Sequence, residues 1–235
     1  SPQVVKRNIF PKVLNDIRLY YIEYFDYFMN QKNSLGLDSC FMDLNDPLKL
    51  FKIWMAEAEK NEINDPNALS LATVDKNQEP HVRMVLLKGL SEKGFVFYTN
   101  LNSPKSHDIK KNPKAEMCFH WKSLQRQIRI FGNITQVSDK EADHYFNSRP
   151  YESRIGAWAS DQSKVLNKRE DFLKKIEEFK NKYKDTNKVP RPKHWSGWCL
   201  APTSFEFWLG DKHRIHERLK YNKDSNNWKR EILYP

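Results

Sequence analysis

From Ala68 to Val137 the chain reads as one short apolar or alternating run after another, each closed by a tight turn. Ala68–Val74 is followed by Asp75-Lys76-Asn77, His81–Lys88 by a Gly89–Gly94 turn, and then come Phe95–Thr99, Lys114–Trp121 and Gln125–Val137. Turns this short predict an antiparallel sheet or barrel. Further strands are expected at Gly197–Ala201, Ser204–Trp208, His213–Tyr221 and Trp228–Leu233. Helices decorate this sheet. Asp46-Pro47 caps one through about Lys60, and Ser103-Pro104 starts a short one that Asn112-Pro113 ends. Ser138-Asp139-Lys140-Glu141 is a capping box for a helix from about 139 to 147. Phe172, Ile176, Phe179 and Tyr183 form the stripe of another over 168–184. Residues 14–30 are aromatic and read weakly as a helix, and 31–45 as a linker. The expected organisation is an N-terminal extension, 1–45, that is mobile or covers the site, and a single mainly β (α+β) domain, 46–235.

Seven glycines are scattered over 235 residues. This excludes a Rossmann fingerprint and a Walker loop, which need clustered glycines. The chain nevertheless carries a formal charge of +10. An anionic partner would therefore be held by side-chain cations. Nucleic acid, an anionic membrane surface and small phosphorylated ligands all suit such an excess, as does a merely solvated surface. No apolar run approaches the roughly 20 residues a membrane helix needs. The seven histidines show no metal spacing, and no paired carboxylates sit amid apolar residues. Cys40, Cys118 and Cys199 match neither a zinc site nor a disulfide framework, so a reducing compartment is expected. The first residues are Ser1-Pro2, which reads as a processed or truncated N-terminus. The cytoplasm is the expected location, with organellar targeting left open.

Periodicity places the cations. If His213–Tyr221 is a regular strand, Arg214, His216 and Arg218 share one face. Gln127 and Arg129 share a face of theirs. Arg83 and Lys88 fall on opposite faces of a regular strand, so they serve one ligand only through a bulge or at different ends of a site. Lys105 lies in the first turn of a short helix, where free N–H groups favour anions, and Ser103 and Ser106 add hydroxyls. Tyr145, Ser148, Arg149 and Ser153 gather around Pro150, with an Arg fork suited to phosphate oxygens. Cations and hydroxyls bind phosphates and steady a developing anion, so a cofactor is expected to supply the reactivity.

The runs Arg83-Met84-Val85-Leu86-Leu87-Lys88-Gly89, Phe97-Tyr98-Thr99-Asn100 and Arg126-Gln127-Ile128-Arg129-Ile130-Phe131-Gly132 resemble the pyridoxine (pyridoxamine) 5′-phosphate oxidase family. So do Tyr145-Phe146-Asn147-Ser148-Arg149-Pro150, Ile155 to Ser163, Glu206-Phe207-Trp208-Leu209-Gly210 and Arg214-Ile215-His216-Glu217-Arg218. The resemblance runs in order from about Asp46 to Pro235. It implies an FMN-binding split β-barrel, a homodimer with FMN at the subunit interface. The reaction implied is oxidation of pyridoxine 5′-phosphate or pyridoxamine 5′-phosphate to pyridoxal 5′-phosphate, with O2 as acceptor and H2O2 as product. By that resemblance Arg83, Met84, Val85, Leu86, Tyr98, Thr99, Lys105, Gln127, Gln162, Ser163, Trp208 and Arg218 would hold FMN. Lys88, Tyr145, Arg149 and Ser153 would hold the substrate phosphate, and Arg214 and His216 would lie over the pyridine ring as the catalytic pair. No metal, membrane or nucleic acid is implied. Pro104 stands where the family usually has an arginine, so FMN affinity is expected to be weaker unless another cation such as Lys110 compensates. Leu209 and Glu217 stand where the family usually has an amide and an Asp. A split-barrel flavoprotein of other redox chemistry, a non-catalytic flavin binder and a basic nucleic-acid-binding barrel are the alternatives.

Overall fold

The computed structural model describes Phe41 and residues 45–185 and 188–235. The expected extension, with its helix over 14–30, lies almost wholly outside these residues. Helix α1, Pro47–Asn61, begins where Asp46 accepts a bond from the Leu48 amide and Pro47 fills the first turn. Its buried stripe of Leu50, Phe51, Trp54 and Ala58 plugs the open side of the sheet. Strands β1 (Ala68–Val74), β2 (Pro80–Leu86), β3 (Gly89–Ser91) and β4 (Gly94–Asn100) follow. The expected turn at Gly89–Gly94 is thus itself a small hairpin, because Leu90 pairs with Phe95. Then come α2 (Pro104–Lys111), β5 (Lys114–Trp121), β6 (Arg126–Gln136), α3 (Asp139–Ser148), α4 (Tyr151–Ala159), α5 (Arg169–Lys182), β7 (Trp195–Leu209), β8 (Glu217–Asp224) and β9 (Asn227–Leu233).

The nine strands among the described residues belong to one antiparallel sheet, in the order β2-β1-β5-β6-β7-β4-β3, with β8 on β7 and β9 on β8. The sheet curls into a half-barrel around Leu69, Leu71, Phe95, Phe97, Phe119, Ile128, Ile130, Phe205 and Phe207, all fully buried. This is the expected mainly β fold with peripheral helices. Alternation explains the faces: in β1 every second residue is buried, and in β6 Arg126, Ile128, Ile130, Gly132 and Ile134 are.

Two expected strands, Gly197–Ala201 and Ser204–Trp208, are one. Strand β7 runs unbroken through Pro202, because Phe131 faces Ser204 while Gly132 faces Pro202, leaving Thr203 as the extra residue of a bulge. A bulge is where a strand tolerates proline. Glycine is required opposite, since a Cβ at 132 would come within 2.1 Å of the Ala201 carbonyl oxygen. Helix α4 had no sequence signal and follows α3 directly after Pro150. The strand expected from His213 begins only at Glu217. Lys212–Arg214 forms a short turn with His213 and Arg214 at φ 59° and 63°, so Arg214 is outside the sheet and strand alternation does not govern it.

Candidate active site

A cleft of about 680 Å³ opens where β2, β4, α2, α3, α4 and the start of β7 converge. Tyr98, Thr99 and Lys105 form one wall, Met84, Val85, Leu86 and Lys88 another, Tyr145, Arg149 and Ser153 a third, and Gln162 reaches in after α4. These eleven residues were all expected at one site. Lys88 lies two residues past the end of β2 at Leu86, and its amide bonds the Val96 carbonyl.

Lys105 is 8% exposed. Its Nζ donates to Thr99 Oγ1 and Ser103 Oγ at 3.2 Å and to Gln162 Oε1 at 3.4 Å. Among the described residues no carboxylate pairs with it. Burial, and then the Arg83 charge, lower its pKa. Arg83 sits behind the cleft. Its Nη1 donates to Leu71 O, Thr73 Oγ1 and His81 O, and Nη2 lies 3.6 Å from Asp108. Burial lowers its pKa, and Asp108 opposes that shift. Ser103 and Ser106 do not offer hydroxyls to a ligand. Both are fully buried and donate to the Asn100 carbonyl, which fixes the start of α2. Lys110 is exposed, donates to Leu101 O and does not line the cleft.

Arg149 follows α3 and is held against aromatic faces rather than acids. Its guanidinium carbon lies 4.8 Å from the Trp195 ring centroid and 5.8 Å from that of Phe146. One nitrogen, Nη1, is buried with no partner. Burial lowers its pKa, with a smaller opposing pull from Tyr145. Tyr98 stacks on Tyr145 at 3.9 Å, and its own pKa is pushed up to about 12, mainly by burial. A buried cation without an anion costs free energy unless a ligand supplies the charge. The cleft has one such cation, Lys105, and beside it the half-buried Arg149, whose Nη1 is buried without a partner.

Five expected residues gather elsewhere. Gln127, Trp208 and Arg218 are register neighbours across β6, β7 and β8, and the Trp208 ring lies 4.7 Å from that of His216. His216 Nδ1 accepts from the Asp211 amide, and Arg218 donates to Glu206 and to the Tyr234 carbonyl. Arg214 is exposed nearby in sequence. None of these lines the cleft of its own chain, and neither does Ser163, which is exposed on the loop after α4 at φ 68°. Sequence reasoning missed Asn100, Ser160 and Trp195, which do line it. Trp195 follows a polar, proline-bearing loop and sits in no motif, so only its position at the mouth of β7 reveals it.

Among the described residues no helix is long and apolar enough to cross a membrane. Residues 55–183 match a family model described as pyridoxamine 5′-phosphate oxidase. Residues 195–235 match one described as the pyridoxine 5′-phosphate oxidase C-terminal dimerisation region. The pyridoxine/pyridoxamine 5′-phosphate oxidase of Pelagibacter ubique is 63% identical over 208 residues, 88% of this chain and 100% of that protein. That of Bartonella henselae is 51% identical over 86% of this chain and 99% of its own. Among solved structures, PhzG from Burkholderia lata in complex with tetrahydrophenazine-1-carboxylic acid aligns with TM-score 0.79 and 28% identity, covering 86% of this chain and 98% of its own. A pyridoxamine 5′-phosphate oxidase-related, FMN binding protein from Nostoc punctiforme shares the fold at TM-score 0.65 and 18% identity, covering 83% and 100%.

Proposed function

The chain belongs to the pyridoxine/pyridoxamine 5′-phosphate oxidase family, and on that premise we propose that its cleft oxidises pyridoxine 5′-phosphate or pyridoxamine 5′-phosphate to pyridoxal 5′-phosphate. The observation that carries the assignment to this cleft is the pair of cations, buried Lys105 and half-buried Arg149, that no acid among the described residues neutralises. Two phosphate-bearing ligands are what such a pair suits, and FMN and a B6 phosphate are two.

The residues fit FMN. Lys105, Thr99 and Gln162 present an ammonium, a hydroxyl and an amide within 3.4 Å of one another. Arg83 adds a second cation behind them, and Met84, Val85, Leu86 and Tyr98 supply apolar surface for a flat ring. Bound FMN supplies acceptance of hydride from the substrate and its delivery to O2, which leaves as H2O2. Lys88, Tyr145, Arg149 and Ser153 hold the substrate phosphate, and that remote anchor orients the reacting carbon. Gln127, Ser163, Trp208 and Arg218 complete the cofactor contacts, with Arg214 and His216 over the pyridine ring. The second copy of a homodimer brings in those on β6, β7 and β8. This is supported by their absence from their own cleft and, for the residues beyond 195, by the dimerisation region they fall in. Residues 46–235 are the catalytic unit in this reading. The compartment is the cytoplasm, in keeping with free thiols at Cys118 and Cys199.

The test is to load the purified protein with FMN and follow peroxide in air with each substrate. Peroxide from wild type, with a KM raised at least tenfold in Arg149→Gln, is expected. No peroxide from the FMN-loaded protein with either substrate overturns the assignment.

A further inference from the structure

Arg149 raises a question that its expected role leaves open: what holds a half-buried guanidinium in place when no carboxylate among the described residues touches it. Arg191, beside the same helices, has acids, bonded to Asp139 and Asp143 at 2.6 Å each. Arg149 has Trp195 instead.

We propose that Trp195 is the positioning residue for Arg149, an aromatic surface used in place of a counter-ion so that the full guanidinium charge is kept for the substrate phosphate. A carboxylate would orient Arg149 equally well but would compete with the incoming dianion for the same N–H groups. An indole face attracts the cation through its quadrupole, occupies no N–H edge and carries no charge for the phosphate to oppose.

The surroundings hold that face rigid. Trp195 is 6% exposed. Its ring is nearly parallel to those of Tyr98 and Tyr145, at 7° and 3°, with centroids 5.3 and 6.2 Å away, and Phe146 meets it edge-on at 5.1 Å. Gly197 faces Tyr98 across β4 and β7, and a Cβ there would approach the Tyr98 ring to 2.7 Å, so only glycine lets the layer close. The backbone is stapled as well. Arg191 donates to the Trp195 carbonyl at 2.7 Å while its other nitrogens hold Asp139 and Asp143 of α3, the helix that Arg149 follows. Platform and cation are therefore tied to each other through one ion-pair cluster.

The proposal rests on the reading that Arg149 binds the substrate phosphate, and the experiment separates the two. Equilibrium binding of pyridoxal 5′-phosphate and of pyridoxal, which lacks the phosphate, is measured on the FMN-loaded protein in wild type, Trp195→Leu, Trp195→Phe and Arg149→Gln. Loss of a desolvated cation–π contact is expected to lower the phosphate preference on the order of tenfold in Trp195→Leu. Trp195→Phe, which keeps a smaller ring, recovers part of it. Pyridoxal affinity stays at the wild-type value. A wild-type phosphate preference in Trp195→Leu, or equal weakening of both ligands, overturns the proposal. An unchanged preference in Arg149→Gln overturns the reading beneath it. If Trp195→Leu does not fold, Trp195→Phe decides alone, and a wild-type preference there refutes the role.

Discussion

Replacing Lys105 with methionine should move binding and stability in opposite directions. Lys105 is 8% exposed and no acid among the described residues pairs with it, and both burial and the Arg83 charge disfavour its ammonium. Methionine has nearly the same length and no charge. The oxygens it would abandon keep other partners: Thr99 Oγ1 and Gln162 Oε1 bond each other at 3.1 Å, and Ser103 Oγ bonds the Asn100 carbonyl at 2.7 Å. Little is orphaned, and an unfavourable buried charge is gone, so the flavin-free protein should melt at an equal or higher temperature. Binding should suffer. A hydrogen bond to a charged group contributes about 1.5–3 kcal/mol, so FMN affinity should fall about 10- to 150-fold. Riboflavin, which has the ring system without the phosphate, should bind the variant as it binds wild type. The assay is quenching of flavin fluorescence for both ligands, with a thermal melt of the flavin-free protein. Equal weakening of FMN and riboflavin, or a melting temperature several degrees lower in Lys105→Met, would refute the argument.

Other consequences can be checked as directly. Because burial lowers the Lys105 pKa, its ammonium is lost at a lower pH than in free lysine. FMN affinity should therefore decline as pH rises through that lowered value, while riboflavin affinity stays flat over the same interval. Arg126 is 2% exposed, paired with Glu57 and 4.7 Å from the Trp54 ring. Glu57→Ala should cost about 3 kcal/mol by urea unfolding, the low end for a broken buried pair because Glu57 reaches solvent. Gly132→Ala drives a methyl group onto the Ala201 carbonyl and should cost about 3 kcal/mol by the same measurement.

What the sequence made legible follows from which forces act locally. Strand alternation and caps are short-range, so β1, β5 and the starts of α1 and α3 were found almost to the residue. Helix α4 was missed because its apolar residues answer to Tyr183, Val189 and Trp195, far along the chain. The bulge at Thr203 was hidden behind Pro202, which reads as a break until the partner strand is seen. The left-handed turn at His213 and Arg214 has no glycine to announce it. In the site, residues borne by ordered motifs reached the cleft together, but Trp195 belongs to no motif and needed the fold. The +10 charge also divides in a way composition could not show. Arg126, Arg129, Arg191 and Arg218 are engaged by carboxylates, whereas Lys105 and Arg149 are not.

Thr203 also sets a parity. Before it, even-numbered residues of β7 such as Trp198 and Leu200 face inward, and after it the odd-numbered Phe205, Phe207 and Leu209 do. The first half of that strand carries Trp195 to the cleft, and the second carries Trp208 to the outer group. A strand inverts its faces with every residue gained or lost. The bulge is the exception: deleting Thr203 would place Ser204 directly after Pro202, opposite Phe131 and Gly132, and leave Phe205, Phe207 and Leu209 facing inward, whereas inserting one residue between Ser204 and Phe205 would turn Glu206 and Trp208 into the barrel. The bulge therefore lets this strand lose one residue without exchanging its faces, while a gain of one is not absorbed.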